Sequence, residues 1–135
     1  MKIEGNGFAG LISIADFKGA KCIISGWGTT EEGPWLVPAN YSNILQEADV
    51  REVDHDTCEE RHGTNLPDNI ICVSGDFKRG GCIGDSGGPL VCKQEGRYVL
   101  AGVTSGGGEY CCPEFPSLYS RVSSHRTWIR EISRL

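Results

Sequence analysis

Residues 82–92 read Cys82-Ile83-Gly84-Asp85-Ser86-Gly87-Gly88-Pro89-Leu90-Val91-Cys92. At ordinary residue frequencies the hexamer GDSGGP arises by chance in a chain of this size with a frequency on the order of 10⁻⁵ to 10⁻⁶. Its chemistry is coherent. A serine flanked by glycines sits on backbone that no neighbouring side chain shields from a substrate. A turn of this kind can aim successive N–H groups at an oxyanion developing beside the serine oxygen. The segment Gly84-x-Ser86-x-Gly88 also fits the nucleophile elbow of α/β-hydrolases, but that elbow needs a strand before the serine and a helix after it. Here Gly-Gly-Pro and a short apolar strand follow, and no βα alternation exists elsewhere, so that match is set aside.

The rest of the chain reads outward from this segment as short strands between turns. Of 135 residues, 19 are glycine, which favours turns and strands over helices. The length fits one domain with a modest core. Strands are expected over Lys21–Trp27, Ile44–Val53, Asn69–Ser74, Pro89–Cys92, Arg97–Thr104 and Leu118–Val122. Within Ile44–Val53 the residues Ile44, Gln46, Ala48 and Val50 share one face. Two segments read as helices. Asp54–His62 carries Asp56 and Glu59 at the spacing of a capping box. The C-terminus has Ser123 or Ser124 as a cap, and Trp128, Ile132 and Leu135 then recur as a stripe expected to dock on the barrel. The expected class is all-β: six short strands suit a small β-barrel or sandwich over residues 21–135, after an irregular segment 1–20.

Composition narrows the function classes. The 13 Lys+Arg and 18 Asp+Glu give a formal charge of −5, which argues against nucleic acid or an anionic membrane as partner. No apolar run approaches the ~18 residues of a spanning helix. Seven cysteines, at 22, 58, 72, 82, 92, 111 and 112, point to disulfides and an oxidising compartment, with one thiol left over. Cys58-x3-His62 is the only tight Cys/His pair and has no second pair to complete a zinc site, so neither a metal nor a cofactor is expected. The start, Met-Lys-Ile-Glu-Gly-Asn-Gly, does not read as a secretory signal. An extracellular location is nonetheless expected from the cysteines, and the chain reads as part of a longer protein.

The chain resembles the C-terminal half of a chymotrypsin-like (trypsin-family) serine endopeptidase domain. The resemblance runs from about Lys21 to the end and implies a six-stranded antiparallel barrel, the second barrel of that family, with a C-terminal helix. Its markers are Cys22-Ile-Ile-Ser-Gly-Trp27-Gly28, the pair Cys58 and Cys72, and GDSGGP. Gly102-Val-Thr-Ser105, Pro116-Ser-Leu-Tyr119-Ser-Arg-Val122 and Trp128-Ile129 follow in order. The resemblance implies an acyl-enzyme mechanism with Ser86 as nucleophile and the N–H groups of Gly84 and Ser86 as oxyanion hole. It implies that Asp85 receives the ammonium created by zymogen cleavage. It makes Ser105, Gly106 and Gly107 the strand that pairs with substrate backbone. The disulfides it implies are Cys22–Cys92, Cys58–Cys72 and Cys82–Cys111, with Cys112 able to exchange roles with Cys111. At the floor of the primary specificity pocket it places Gly80, with Gly81 beside it, and it makes Gly107 and Ser117 wall positions. Ser117 stands where the family usually has glycine and Gly106 where it usually has tryptophan. Without an aspartate at position 80, preference for Arg or Lys is not expected.

The family's catalytic histidine and aspartate precede the Gly-Trp-Gly marker, and no histidine lies there in this chain. The histidines present, His55, His62 and His125, read as solvated side chains. The chain is therefore expected to be a truncated peptidase domain, inactive alone, whose partners are the missing N-terminal barrel and a protein or peptide substrate. Its barrel-facing surface should be bare and apolar. Asp85, without its ammonium, should be an unpaired buried carboxylate. Asn40-Tyr41-Ser42 is a glycosylation sequon. Two other readings compete: a protease-like binding module without catalysis, and an unrelated disulfide-rich interaction domain.

Overall fold

The computed structural model describes residues 17–30, 40–108 and 111–134. Most of segment 1–20, part of the loop before Asn40, and Leu135 lie outside these residues. Six strands, β1 (Cys22–Gly26), β2 (Gln46–Val53), β3 (Ile70–Ser74), β4 (Pro89–Gln94), β5 (Arg97–Gly106) and β6 (Ser117–Arg121), form one closed barrel. Their order around it is β1-β2-β3-β6-β5-β4, with antiparallel neighbours throughout. Closure comes from β1 on β4, with Cys22 opposite Cys92, Ile23 opposite Val91 and Ile24 opposite Leu90. A closed barrel leaves no strand edge, and its inward residues alternate with outward ones. The inward set is Cys22, Ile24, Val50, Ile71, Val73, Leu90, Cys92, Val99, Ala101 and Tyr119, with Phe17 packed at one end.

Three disulfides pin this barrel. Cys22–Cys92 lies in the core between β1 and β4. Cys58–Cys72 ties helix α1 (His55–His62) to β3, and Cys82–Cys111 bridges the loop before β4 to the segment after β5. Cys112 is the free thiol among the described residues and is half-buried.

Local details depart from the sequence reading in four places. The cap of α1 is Asp54, not Asp56: its Oδ1 accepts the Thr57 N–H at 2.9 Å and its Oδ2 the Thr57 hydroxyl at 2.7 Å. Those two bonds hold its carboxyl below the usual carboxylate range. Glu59 closes no capping box, because its carboxylate reaches forward to accept the Leu66 N–H at 2.7 Å. The C-terminal helix α2 (Arg126–Ser133) starts later than a Ser123 or Ser124 cap would place it, since Val122–His125 forms a tighter 3-10 turn first. The shared face of Ile44, Gln46, Ala48 and Val50 sinks into the core only at its far end, for Val50 is buried while Gln46 and Ile44 are exposed.

The fourth departure is the largest. Trp128 is 61% exposed and Ile132 68%, and no residue of α2 is buried, so the stripe does not dock on the barrel. The barrel end of this element is held instead by Val122, which is buried. An i, i+4 stripe identifies an apolar face, but nothing in its spacing says which way the helix turns that face. Trp27, Tyr41, Ile44 and Leu45 are also exposed, each by half or more. No helix among the described residues is long and apolar enough to cross a membrane.

Candidate active site

Ser86 lies on the loop that delivers the chain into β4, and this loop is fastened from three sides. The Gly87 N–H donates to the Thr104 carbonyl at 3.1 Å, and the Thr104 N–H donates to Gly88 at 2.9 Å. The Thr29 N–H donates to the Ile83 carbonyl at 2.9 Å. Cys82 is bonded to Cys111. Ser86 is exposed, and its hydroxyl has no hydrogen-bond partner among the described residues. The same holds for the N–H groups of Gly84 and Ser86, so both remain available to an external acceptor. Gly84 has φ +94°, a conformation L side chains rarely adopt, and a Cβ there would lie 2.7 Å from the Tyr41 ring.

Asp85 turns the other way, into the barrel end of β1. Its Oδ1 accepts the Gly28 N–H at 2.9 Å and its Oδ2 the Cys82 N–H at 2.9 Å. The expectation of an unpaired carboxylate is thus corrected: two backbone donors solvate it, and such charge-assisted bonds are each worth about 1.5–3 kcal/mol. A Cβ on Gly26 or on Gly28 would collide with this carboxylate, which explains the glycines on both sides of Trp27. A cavity of about 250 Å³ opens beside Asp85, bordered by Gly28, Thr30, Glu47 and Gly80. It includes none of Ser86, Ser105, Gly106, Gly107 and Ser117, so it lies behind the serine loop rather than on the serine's own face.

The four positions read as a pocket come together. Ser117 is buried, and its Oγ accepts the Gly81 N–H at 2.9 Å. A Cβ on Gly80 would stand 2.7 Å from that same oxygen. The Ser117 hydroxyl therefore occupies the space a larger residue at 80 would need. Gly107, just past the end of β5, lies beside Ser117 at the start of β6, where a Cβ on it would stand 4.0 Å from the Ser117 Cα. Register explains the reach of β5 here: Thr104 pairs with Tyr119 and Gly106 with Leu118, so Ser105 is an extra residue bulged from the ladder. Ser105, Gly106 and Gly107 are all exposed, as is Asn40.

Sequence reasoning missed the supports of this site. Thr104 also donates its hydroxyl to the Gly88 carbonyl at 3.0 Å. Tyr119 is 1% exposed, and its hydroxyl comes within 3.3 Å of a Cβ built on Gly81. Both belong to motifs that marked the resemblance, but a motif gives no direction to a side chain. Burial pushes the Tyr119 phenol up to about 12; the nearby Asp85 charge adds to this and the Thr104 hydroxyl opposes it. The folded-state value is thus above the unfolded value of about 10, so below pH ~10 both states keep the proton and this group adds no pH dependence. Between pH ~10 and ~12 only the unfolded state loses it, and stability should fall by about 2–3 kcal/mol. Urea midpoints across this window should drop for the wild-type chain and stay nearly flat for Tyr119→Phe after the shared background is subtracted.

None of the three histidines behaves as a purely solvated side chain. His55 Nε2 lies 3.0 Å from the Leu66 carbonyl and 3.3 Å from Glu59. His62 Nε2 donates to the Pro116 carbonyl at 2.9 Å, and His125 Nδ1 lies 2.9 Å from the Arg121 carbonyl. Each ring is thereby committed to backbone, and none contacts Ser86.

Known proteins match this arrangement in sequence and in shape. The trypsin family model matches residues 2–129. Transmembrane protease serine 9 of Rattus norvegicus is 41% identical over 115 residues, covering 84% of this chain and 10% of that protein. Chymotrypsin-like elastase family member 1 of Felis catus is 37% identical, covering 82% of this chain and 41% of that protein. Fibrinolytic enzyme, isozyme C, of Lumbricus rubellus is 38% identical, covering 88% and 50%. Among solved structures, neuropsin, a serine protease expressed in the limbic system of mouse brain, superposes with a TM-score of 0.75 at 34% identity. That match covers 90% of this chain and 53% of the neuropsin chain. The chain spans half or less of the curated relatives it matches. With the family model running nearly end to end over a closed six-stranded barrel, this chain belongs to the trypsin family of serine proteases.

Proposed function

We propose that this chain is the nucleophile-bearing half of a secreted serine endopeptidase. The observation that carries the reading is the Ser86 loop: an exposed serine with an unengaged hydroxyl, flanked by unengaged N–H groups on Gly84 and Ser86. In this reading Ser86 Oγ attacks the substrate carbonyl, the two N–H groups receive the oxyanion, the amine leaves, and water releases the acyl group. A histidine and an aspartate from the other half of the domain supply the base. That half would cover exposed apolar side chains such as Trp128 and Ile132, which are 61% and 68% exposed. The cavity beside Asp85 would admit the new N-terminal ammonium, with Asp85 as its counter-charge. Substrate backbone would pair along Ser105–Gly107, and Asn40 would carry a glycan.

The pocket chemistry favours apolar or small neutral residues before the scissile bond. Gly80 brings no carboxylate, and a Lys or Arg side chain entering would be desolvated with no charged partner. A neutral side chain gains from burial. The test is a peptide-library profile of the chain joined to a trypsin-family half carrying the histidine and aspartate. Cleavage should follow apolar or small neutral residues and vanish in Ser86→Ala; predominant cleavage after Arg or Lys would overturn the pocket assignment. Because every histidine of the chain is bonded to a backbone carbonyl, the binding-module reading is the one to adopt if no joined form cleaves.

A further inference from the structure

We propose that the Cys82–Cys111 disulfide can pass to Cys112, so that the barrel exists as two bridge isomers whose wall beside Asp85 differs by one residue. The inference stands apart from the peptidase reading, since it concerns only the covalent frame and the cavity it borders. Cys112 is the free thiol among the described residues, and it follows Cys111 directly. Burial singles out one bridge for exchange. Cys22, Cys92, Cys58 and Cys72 are buried, which keeps their sulfurs out of reach of a surface thiol. Cys82 and Cys111 are half-buried, as Cys112 is. The accessible bridge and the free thiol therefore share one loop.

The exchange is redox-neutral. The Cys112 thiol gives its proton to solvent and the thiolate attacks Cys82 Sγ. A Cys82–Cys112 bond forms, the Cys82–Cys111 bond breaks, and its electron pair leaves on Cys111 Sγ, which takes a proton back. One disulfide and one thiol stand on each side, so no oxidant or reductant is consumed. Cys82 is the fixed end: its N–H donates to Asp85 Oδ2 at 2.9 Å, and the Thr29 hydroxyl lies 2.6 Å from its sulfur. The other end can slip. Cys111 stands at φ +59°, a left-handed conformation unfavourable to a residue with a Cβ, and release from the bridge would let it leave that conformation. The Cα atoms of Cys82 and Cys111 are 5.0 Å apart. Consecutive Cα atoms are about 3.8 Å apart and a bridge spans about 4.4–6.8 Å, so Cys112 need advance by no more than one residue's length. The run Gly106, Gly107 and Gly108, at and after the end of β5, supplies compliant backbone for that shift. Cys111 and Pro113 both border the cavity beside Asp85, so the slip redraws its wall. The loop carrying Ser86 stays in place, because Gly87 and Gly88 are bonded to Thr104.

The experiment is thiol mapping of the full chain with N-ethylmaleimide, read by tandem mass spectrometry of the peptide that holds both Cys111 and Cys112. Chain kept under mildly acidic conditions, where thiol exchange is slow, should carry the label on Cys112. After incubation in alkaline buffer with neither oxidant nor reductant, the share of label on Cys111 should rise by about 10-fold or more. Cys22, Cys58, Cys72 and Cys92 should stay unlabelled. Label confined to Cys112 throughout would overturn the proposal. So would label spreading to those four, which would mean general scrambling rather than one directed exchange. Cys111→Ser supplies a second arm: it should fold with a Cys82–Cys112 bond and no reactive thiol, and its Gly107 and Gly108 amide resonances should shift while that of Val73 stays. A folded Cys111→Ser chain with free thiols at Cys82 and Cys112, or with unmoved Gly107 and Gly108 resonances, would overturn the proposal. If that variant does not fold, the time course of the wild-type chain decides alone.

Discussion

Refolded chain incubated with a serine-reactive phosphonate should leave Ser86 unlabelled above background, whereas the chain joined to a complementary trypsin-family half should label stoichiometrically. The expected difference in reactivity is large. A serine hydroxyl is a poor nucleophile at neutral pH unless a base takes its proton. Loss of a member of a serine-protease triad costs on the order of 10⁴ to 10⁶ in turnover. The chain holds three histidines, and each is committed to a backbone carbonyl at about hydrogen-bond distance: His55 to Leu66, His62 to Pro116 and His125 to Arg121. A histidine released from such a bond would also have to travel to the Ser86 loop, which none contacts. Stoichiometric labelling of the unjoined chain, lost in Ser86→Ala, would overturn this expectation and would require a base the present geometry does not supply.

The second large effect is on stability. Replacing Cys22 and Cys92 together by alanine should destabilise the chain by about 4 kcal/mol, and replacing Cys58 and Cys72 by about 3 kcal/mol. The ordering follows from loop length, for the sequence separations are 70 and 14 residues, and a longer closed loop restricts the unfolded chain more. The first bridge also sits where the barrel closes, at the Cys22–Cys92 pair between β1 and β4, with both residues fully buried. A domain of this size has a total stability of only about 5–15 kcal/mol, so the first variant should lose a large fraction of it. Denaturant midpoints of the two double variants measure this directly. A larger loss from Cys58/Cys72 than from Cys22/Cys92 would show that the unfolded chain is not the main term.

The fold class was legible because its signals are local and repeated. Gly-rich turns bound short alternating runs, and six such runs suit a small barrel or a sandwich; the ordered motifs of the resemblance implied the barrel, which the pairing of β1 with β4 closes. The candidate nucleophile was legible for a related reason. GDSGGP demands a backbone without side chains around one serine, and that demand is written in residue types alone. Sequence also carried the glycines around Trp27, although not their purpose. Only in three dimensions does Asp85 arrive between them, 57 residues on, and accept the Gly28 N–H.

What the tertiary structure alone decided is direction. The stripe of Trp128 and Ile132 was visible as a period, yet whether it faced the barrel or solvent depended on how the 3-10 turn at Val122–His125 aims α2. His62 looked like a surface residue because α1 is polar almost throughout, with Cys58 its one buried side chain. Its bond to Pro116 joins residues 54 apart, a separation no local pattern encodes. The supports of the pocket, Thr104 and Tyr119, were likewise hidden, since register across β5 and β6 is what brings them beside Gly81 and Gly88. Residue types, turn chemistry and periodicity are properties of the chain and determined its all-β class and its candidate serine. The aim of each side chain is a property of strand register and helix orientation, which arise only when distant segments pack against one another.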